Sequence, residues 1–399
     1  MSHSTASPSL KNRFSLNEWT GATGDLGTLL PLAFAIVIYN GYSPNTLFLL
    51  WGAAYIITGF IFKVPLPVQP LKAITVIAIA QGLSPEMLST TAFFYGILFI
   101  LISTTGFIDW MQKWFSKALV TGIQLGIGLV LGRKAIELLL DHGLFLSQSA
   151  TTTGLPMLVF LIILGVLLLA LARKRYIMGV SLAVLSSILL IMMINPTLPE
   201  NSKQALQLGV TWPNWTLLVN ALTLLMIPQL PLTLGNSVFA AAETSRQLWG
   251  AQAGGVTPRR LGLSVGISNT LIGLLGGFPM CHGAGGMTAH DQLGARTGGA
   301  TIIMGSVLVV LSLFSSVGTV LFLIPVPILA AFLLVDAWRM VFLVRRLSKG
   351  YDSSTAIIVG VLTFFTGNLM IALIIGLLTE SLEKTSVFKK ILNTTRGIA

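Results

Sequence analysis

Three prolines interrupt an otherwise nearly continuous apolar sequence at residues 63–73, Lys-Val-Pro-Leu-Pro-Val-Gln-Pro-Leu-Lys-Ala. Pro65, Pro67 and Pro70 forbid a helix before about Pro70, because proline lacks the N–H and its ring clashes with the preceding turn. Residues 71–80 can continue as a helix, so the sequence predicts an extended segment and then a half-helix with Pro70 at its first position. Non-helical backbone at bilayer depth is tolerated only where it is buried or lines a cavity. We therefore expect a functional site here.

The composition places this break inside a membrane protein. Of 399 residues, 54% are hydrophobic and 9% are charged, whereas a soluble domain has roughly 25% charged residues. The formal charge of +11 does not indicate a nucleic-acid partner, because most lysines and arginines fall in loops on one side of the predicted membrane spans, as the positive-inside rule expects.

The hydropathy pattern predicts fourteen segments, since about 20 apolar residues cross the hydrocarbon core. The first half holds residues 18–39, 46–62, the half-helix 70–81, 88–108, 115–131, 154–172 and 176–194. The second half holds residues 215–242, 260–275, a half-helix at 282–295, 300–316, 319–343, 354–366 and 368–382. The predicted fold class is an all-α polytopic membrane protein.

The predicted domain organisation follows from these segments. Residues 1–17 are expected to be a cytoplasmic tail, 18–194 a first repeat, 195–214 an extracytoplasmic linker, 215–382 a second repeat, and 383–399 a cytoplasmic tail without a regulatory domain. An even number of spans and the charge distribution put both termini in the cytoplasm. The short tail and compact loops suit a bacterial inner membrane.

The two halves carry matching interruptions. Residues 64–72 in the first half correspond to residues 276–286 in the second half, Gly-Gly-Phe-Pro-Met-Cys-His-Gly-Ala-Gly-Gly. Residues 24–32 correspond in the same way to residues 229–237. Seven spans per half make the second copy inverted, and paired interrupted segments indicate the midplane site of a transporter. We therefore predict a seven-plus-seven inverted-repeat transporter fold, with two half-helices that meet at the midplane.

Two helix N-termini that meet at the midplane suit a small anion, because each presents free N–H groups and a partial positive charge. Lys72 lies at the start of the first half-helix. A charge at the bilayer centre costs at least about 2.5 to 3.5 kcal/mol, so this lysine needs a function or a partner. Anion coordination is the preferred interpretation. A structural ion pair with Asp25 and an interfacial lysine remain the alternatives.

Further candidate ligands surround the two breaks. Gly283, Ala284 and Gly285 leave backbone N–H groups open to an oxyanion, although small residues also permit close helix packing. His282 can donate a hydrogen bond to an oxyanion. Polar side chains of the first break and of the first and eighth spans are also candidates, with an interhelical hydrogen bond as the alternative for each: Gln69, Thr28, Gln229, Asn236 and Ser237.

Five motifs in order carry a family resemblance. Residues 24–28, 67–73, 229–237, 279–286 and 294–298 resemble the successive motifs of the molybdate transporter type 1 family, which is related to the sulfate permeases. The match extends over most of the chain. The resemblance implies the seven-plus-seven fold with a core and a gate domain, and it implies transport of molybdate or of sulfate.

These lines combine into a predicted secondary active transporter with alternating access. A tetrahedral dianion is expected to bind between the breaks near Pro70 and His282, while a core of spans 1–4 and 8–11 shifts against a gate of spans 5–7 and 12–14. Uptake against a negative-inside potential costs about 2.3 kcal/mol per charge per 100 mV, so it needs a co-transported cation. Asp25 is the predicted proton carrier, because Glu243 and Asp291 are expected near the inner face.

Alternative functions remain open from the sequence. A general sulfate or oxyanion permease, a nucleobase permease of the same fold and a channel are the rivals within membrane transport. An intramembrane enzyme is disfavoured, because the adjacent Cys281 and His282 would point about 100° apart on a helix. The expected partners are the anion and the lipid bilayer, without a cofactor, metal or nucleic acid, and a homodimer is compatible with the sequence.

Overall fold

The computed structural model describes residues 11–111, 116–145, 154–172, 176–194, 206, 208–314, 323–347 and 351–384. Within these ranges the chain forms fourteen principal helices. The first seven are α1 (Leu16–Asn40), α2 (Pro44–Phe62), α3 (Lys72–Gln81), α4 (Pro85–Thr104), α5 (Lys117–Asp141), α6 (Leu155–Ala172) and α7 (Tyr176–Ile194). The second seven are α8 (Trp215–Gly255), α9 (Pro258–Leu274), α10 (Ala284–Gln292), α11 (Gly299–Ser312), α12 (Val326–Phe342), α13 (Tyr351–Thr366) and α14 (Leu369–Lys384). The predicted helical fold in two sets of seven is confirmed.

Five helices in the described ranges are long and apolar enough to cross a membrane. They are α1, α2, α4, α8 and the segment Val326–Arg345, which contains α12. Shorter apolar helices accompany them, including α3 and α11. A five-residue helix, Phe107–Met111, lies between α4 and α5. Residues 1–10, 195–205, 207 and 385–399 lie outside the described residues, so the two tails and most of the linker stay predictions.

Local sequence explains where several helices begin and end. Ser43 and Ser84 each accept a hydrogen bond from the N–H of the third helical residue. Pro44 and Pro85 fill the first helical position, where the N–H would be unpaired anyway. Gly82 ends α3 with φ of 60°, in the left-handed region that favours glycine.

Helix α5 extends beyond its prediction, to Asp141 instead of residue 131. Its last turns carry charges that a hydropathy pattern excludes from a span. Arg133 and Lys134 both pair with Glu137 one turn later, at 3.2 Å and 2.8 Å. These i,i+4 and i,i+3 pairs keep the polar end helical.

The eighth helix is irregular where it passes the centre of the molecule. Segments Ala221–Met226 and Thr233–Ala240 are π-helical, and Pro228 and Pro231 lie between them. Proline removes i→i−4 hydrogen bonds, and π-bulges are frequent at functional sites. This irregular stretch carries Gln229, Asn236 and Ser237 to the level of the two breaks.

The two breaks pair with each other as a short antiparallel ladder. Gln69–Pro70 forms β1 and Met280–Cys281 forms β2, with Gln69 opposite Cys281. The prediction that Pro70 is the first helical residue is therefore wrong, because pairing keeps the backbone extended through Leu71, whose N–H donates to the Pro279 carbonyl at 3.1 Å. For the same reason α10 begins at Ala284 and not at residue 282.

Helix packing divides the molecule into two bundles. Helices α1–α4 and α8–α11 form the core bundle, in which α4 packs on α9 and α2 packs on α11. Helices α5–α7 and α12–α14 form the gate bundle, in which α5 packs on α12 and α13. Contacts between the bundles are sparser and run through α1 with α12, α3 with α5, and α8 with α5 and α14. Both breaks and the β ladder belong to the core bundle.

Glycines allow the closest of these helix contacts. A Cβ added to Gly96 on α4 would lie 2.3 Å from the backbone nitrogen of Thr270 on α9. A Cβ added to Gly52 on α2 would lie 2.8 Å from the carbonyl oxygen of Gly305 on α11. Small residues thus bring the core helices together, as is common in membranes.

Candidate functional site

A buried polar cluster lies beside the first break. The Asp25 carboxylate accepts hydrogen bonds from the Tyr55 hydroxyl, at 2.6 Å, and from the Gln69 amide. All three side chains are buried, with Asp25 only 1% exposed. The ion pairs within 4 Å among the described residues do not include Asp25 with Lys72, so the alternative of a structural ion pair between them is not found. Asp25 is held by neutral donors instead.

The start of α3 is capped from α8. The Gln229 side-chain oxygen accepts hydrogen bonds from the N–H groups of Ala73, at 2.9 Å, and Ile74, at 3.2 Å. The Gln229 side-chain nitrogen donates to Thr233. The prediction of free N–H groups at this half-helix is therefore wrong for two of them. Gln229 acts here as a cap of α3 through hydrogen bonds between helices, and an interhelical hydrogen bond was the predicted alternative to anion binding.

The start of α10 is open by contrast. Gly283 is the N-cap residue and has no side chain to accept from the first turn. Gly285 is exposed, and a Cβ added there would meet no atom within 4 Å. Ala284 is partly exposed. Since the first N–H groups of a helix lack intrahelical partners, this end has donors that no side-chain cap satisfies.

Two amides converge on the same helix end. A Cβ added to Gly283 would lie 2.8 Å from the Gln69 side-chain oxygen and 3.9 Å from the Asn236 side-chain nitrogen. A Cβ added to Gly286 would lie 2.9 Å from the Gln69 side-chain nitrogen. Asn236 is partly exposed. The structure thus brings together Gln69, Asn236 and residues 283–285 from the predicted set.

His282 and Ser237 face away from this opening. The His282 ring is fully buried, and its Nδ1 lies 3.0 Å from the Pro67 carbonyl oxygen, to which it must donate. Its Nε2 then accepts from the Ser264 hydroxyl at 2.9 Å. Ser237 hydrogen-bonds with the Cys281 side chain. Since both ring nitrogens are engaged, the expected donation from His282 to an oxyanion is not supported, and the ring links the two breaks.

Lys72 lies where the two bundles meet. It is the first residue of α3, is partly buried, and lines a cavity of about 10 Å³ that also touches Asp336 on α12. Such a volume holds about one water molecule. The residue before it, Leu71, donates its N–H to the Pro279 carbonyl at 3.1 Å, so Lys72 also lies beside the second break. The lysine therefore stands between the second break and the gate bundle.

Asp336 is a site residue that sequence reasoning missed. It is 7% exposed, and it accepts a hydrogen bond from the Thr28 hydroxyl at 3.2 Å. The Arg339 guanidinium lies 3.7 Å from the same carboxylate oxygen. A lone carboxylate in the apolar run Leu-Leu-Val-Asp-Ala-Trp was the available signal. Thr28, predicted as a ligand, is directed to this carboxylate.

Comparisons with known proteins identify the family of the chain. A family model described as "Molybdate transporter of MFS superfamily" matches residues 17–131 and 221–340. Molybdate transporter 2 of Arabidopsis thaliana is 26% identical over 386 residues, which cover 86% of this chain and 82% of that protein. Molybdate transporter 1 of the same plant is 27% identical over 383 residues, with the same coverage of 86% and 82%.

Solved structures share the fold at low sequence identity. The transmembrane domain of the cyanobacterial bicarbonate transporter BicA superposes with a TM-score of 0.68 at 19% identity, covering 90% of this chain and 96% of that chain. Murine Slc26a9, an anion transporter in the inward-facing state, superposes with a TM-score of 0.68 at 13% identity, covering 95% and 69%. At these sequence identities, the two superpositions show that the fold is shared.

Proposed function

Because the chain belongs to the molybdate transporters of the MFS superfamily, we propose that it carries molybdate by secondary active transport. The family makes it an integral membrane anion transporter and not an enzyme. The tetrahedral dianion binds at the open start of α10. The observation that carries this proposal is the exposed Gly285 turn beside the Asn236 and Gln69 amides. Helix N-termini of this kind bind anions through their N–H groups and partial positive charge.

Lys72 supplies the positive charge of the proposed site. Its position beside the second break is supported by the preceding residue, Leu71, whose N–H donates to the Pro279 carbonyl at 3.1 Å. A hydrogen bond to a charged group contributes about 1.5–3 kcal/mol, so loss of the lysine weakens binding about 10- to 150-fold. Gln229, His282, Ser237 and Thr28 are engaged with protein partners and hold the site in shape.

Asp25 is the proposed proton carrier. The Gln69 side chain donates a hydrogen bond to the Asp25 carboxylate and also lies beside Gly283 and Gly286 at the start of α10. An ionised carboxylate disfavours a nearby dianion, because like charges repel strongly where water is scarce. Protonation of Asp25 removes this repulsion and so couples proton uptake to anion uptake.

The two bundles support an alternating-access mechanism. Both breaks lie in the core bundle, and the contacts between bundles are sparser than those within each bundle. We propose that the core shifts against the gate and carries the site across the bilayer. We also propose that the protein lies in a bacterial inner membrane with both termini in the cytoplasm, and that it forms a homodimer.

The test is radiolabelled molybdate uptake into proteoliposomes, with excess sulfate as competitor. We expect uptake that resists sulfate and falls about tenfold or more in Lys72→Ala, by loss of the charged contact. Asn236→Ala should raise KM, and Gln247→Ala, which changes an exposed side chain on α8, should leave uptake unchanged.

Sulfate competition decides between the proposal and its first alternative. Backbone N–H groups and amides accept any tetrahedral oxyanion, so strong competition would make the protein a general oxyanion permease. If the folded wild-type protein takes up neither molybdate nor sulfate, the proposal is contradicted. Transport of a nucleobase would then be the function to test next.

A further inference from the structure

A buried carboxylate of the gate bundle and a lysine of the core bundle line one small cavity. Asp336 on α12 and Lys72 on α3 line the same small cavity, together with Leu131 of α5. Their charges interact, although they are not among the ion pairs within 4 Å found in the described residues. The cavity thus separates two opposite charges that belong to different bundles.

The same carboxylate is tied to the core by a hydrogen bond. Thr28 on α1 donates to Asp336 at 3.2 Å, and both side chains are buried. The other charged groups that act on Asp336 are Arg339, one turn along α12, and Asp25. A buried carboxylate that keeps one neutral donor, an exposed arginine at 3.7 Å and a lysine across a small cavity is expensive to maintain, so a function is expected.

We propose that Asp336 acts as a tethered competitor of the transported anion. In the substrate-free transporter its carboxylate holds Thr28 and attracts Lys72 across the boundary between the bundles. An oxyanion at the start of α10 takes over the charge of Lys72, weakens its attraction to Asp336 and frees the core to move. This inference rests on the proposed anion site, and it assigns Asp336 a positioning role and no direct contact with the anion.

The first readout is affinity for molybdate, measured by calorimetric titration of the purified protein. Asp336→Asn keeps the size of the side chain and removes its charge. We expect it to bind molybdate more tightly, on the order of tenfold, because a competing negative charge is gone. A merely structural role would lower affinity or leave it unchanged. Glu243→Gln removes a carboxylate that is 59% exposed and should not change affinity.

The second readout does not need the anion. Cys281 is the sole cysteine of the chain and is 5% exposed. We expect a small methanethiosulfonate reagent to label it several-fold faster in Thr28→Val, which removes the hydrogen bond between the bundles, and in Asp336→Asn, which weakens it by replacing a charged acceptor with a neutral amide oxygen. Glu243→Gln should label at the wild-type rate.

The outcomes separate this inference from the proposed function. Folded Asp336→Asn protein with unchanged or weaker affinity overturns the competitor role, whatever its labelling rate. Unchanged labelling in both variants overturns the tie between the bundles. If the wild-type protein neither binds nor transports an oxyanion, the proposed function fails. The labelling experiment still tests the Asp336–Thr28 contact in that case.

Discussion

Single residues at the second break are constrained by their neighbours. Gly283 leaves just enough room for the Gln69 side chain, since an added Cβ would lie 2.8 Å from its oxygen. Gln69 in turn holds Asp25, so a change at this glycine reaches the proposed proton carrier. In our proposal, the absence of a side chain at Gly283 keeps the Gln69 amide in place.

The change Gly283→Ala should therefore impair transport while the protein still folds. Overpacking of this kind costs about 1–3 kcal/mol and forces the Gln69 amide to move. We expect molybdate uptake to fall about tenfold in the proteoliposome assay. Gly165→Ala is the matched control, because a Cβ there meets no atom within 4 Å. Equal uptake by both variants would contradict this role of Gly283.

At the scale of elements, the two half-helices differ although they follow breaks at matching places in the two halves. The first turn of α3 is capped by Gln229, whereas the first turn of α10 has a glycine N-cap and an exposed Gly285. A capped end has fewer donors to offer. The anion therefore binds asymmetrically in our proposal, at one helix end and not midway between two.

Removal of the cap should destabilise the protein more than it affects the anion contact. Gln229→Ala leaves the N–H groups of Ala73 and Ile74 buried without their acceptor, which costs about 1–3 kcal/mol for each unsatisfied group. We expect a lower thermal unfolding temperature in detergent. Gln229→Glu retains an acceptor and should recover part of the loss, and Gln247→Ala should show none. An unchanged unfolding temperature in Gln229→Ala would argue against the cap.

At the scale of the whole molecule, the direction of transport needs an energy source. Inward movement of a dianion at 100 mV costs about 4.6 kcal/mol, at about 2.3 kcal/mol per charge. A proton taken up with each anion reduces the charge moved. Asp25 is buried in the core bundle, which is the bundle that moves in our proposal.

The change Asp25→Asn should therefore separate binding from coupling. The asparagine cannot carry a proton, so a proton gradient should no longer drive accumulation of molybdate. Binding should persist, since the amide keeps an oxygen for the Tyr55 hydroxyl. The measurement compares uptake with and without an imposed pH gradient, alongside calorimetric binding. A gradient dependence equal to that of the wild type would remove Asp25 from the mechanism.

The membrane class, the two halves of seven helices and the two breaks could be predicted from the chain alone, because they depend on local properties. Apolar runs of span length and prolines without N–H groups act where they stand in the sequence. The family motifs likewise place Lys72 and the glycines of residues 283–286 at the breaks. These features need no knowledge of which helices pack together.

Only the tertiary structure decided how the polar residues are used, because hydrogen bonds across the bundle join residues that are far apart in the chain. It paired Gln69 with Asp25, turned Gln229 into a cap for α3, and enclosed His282 between Pro67 and Ser264. The role that we propose for Asp336 depends on its hydrogen bond with Thr28, which is 308 residues away in the chain. A local pattern cannot reveal such partners, since burial and hydrogen bonding are settled by packing of distant segments.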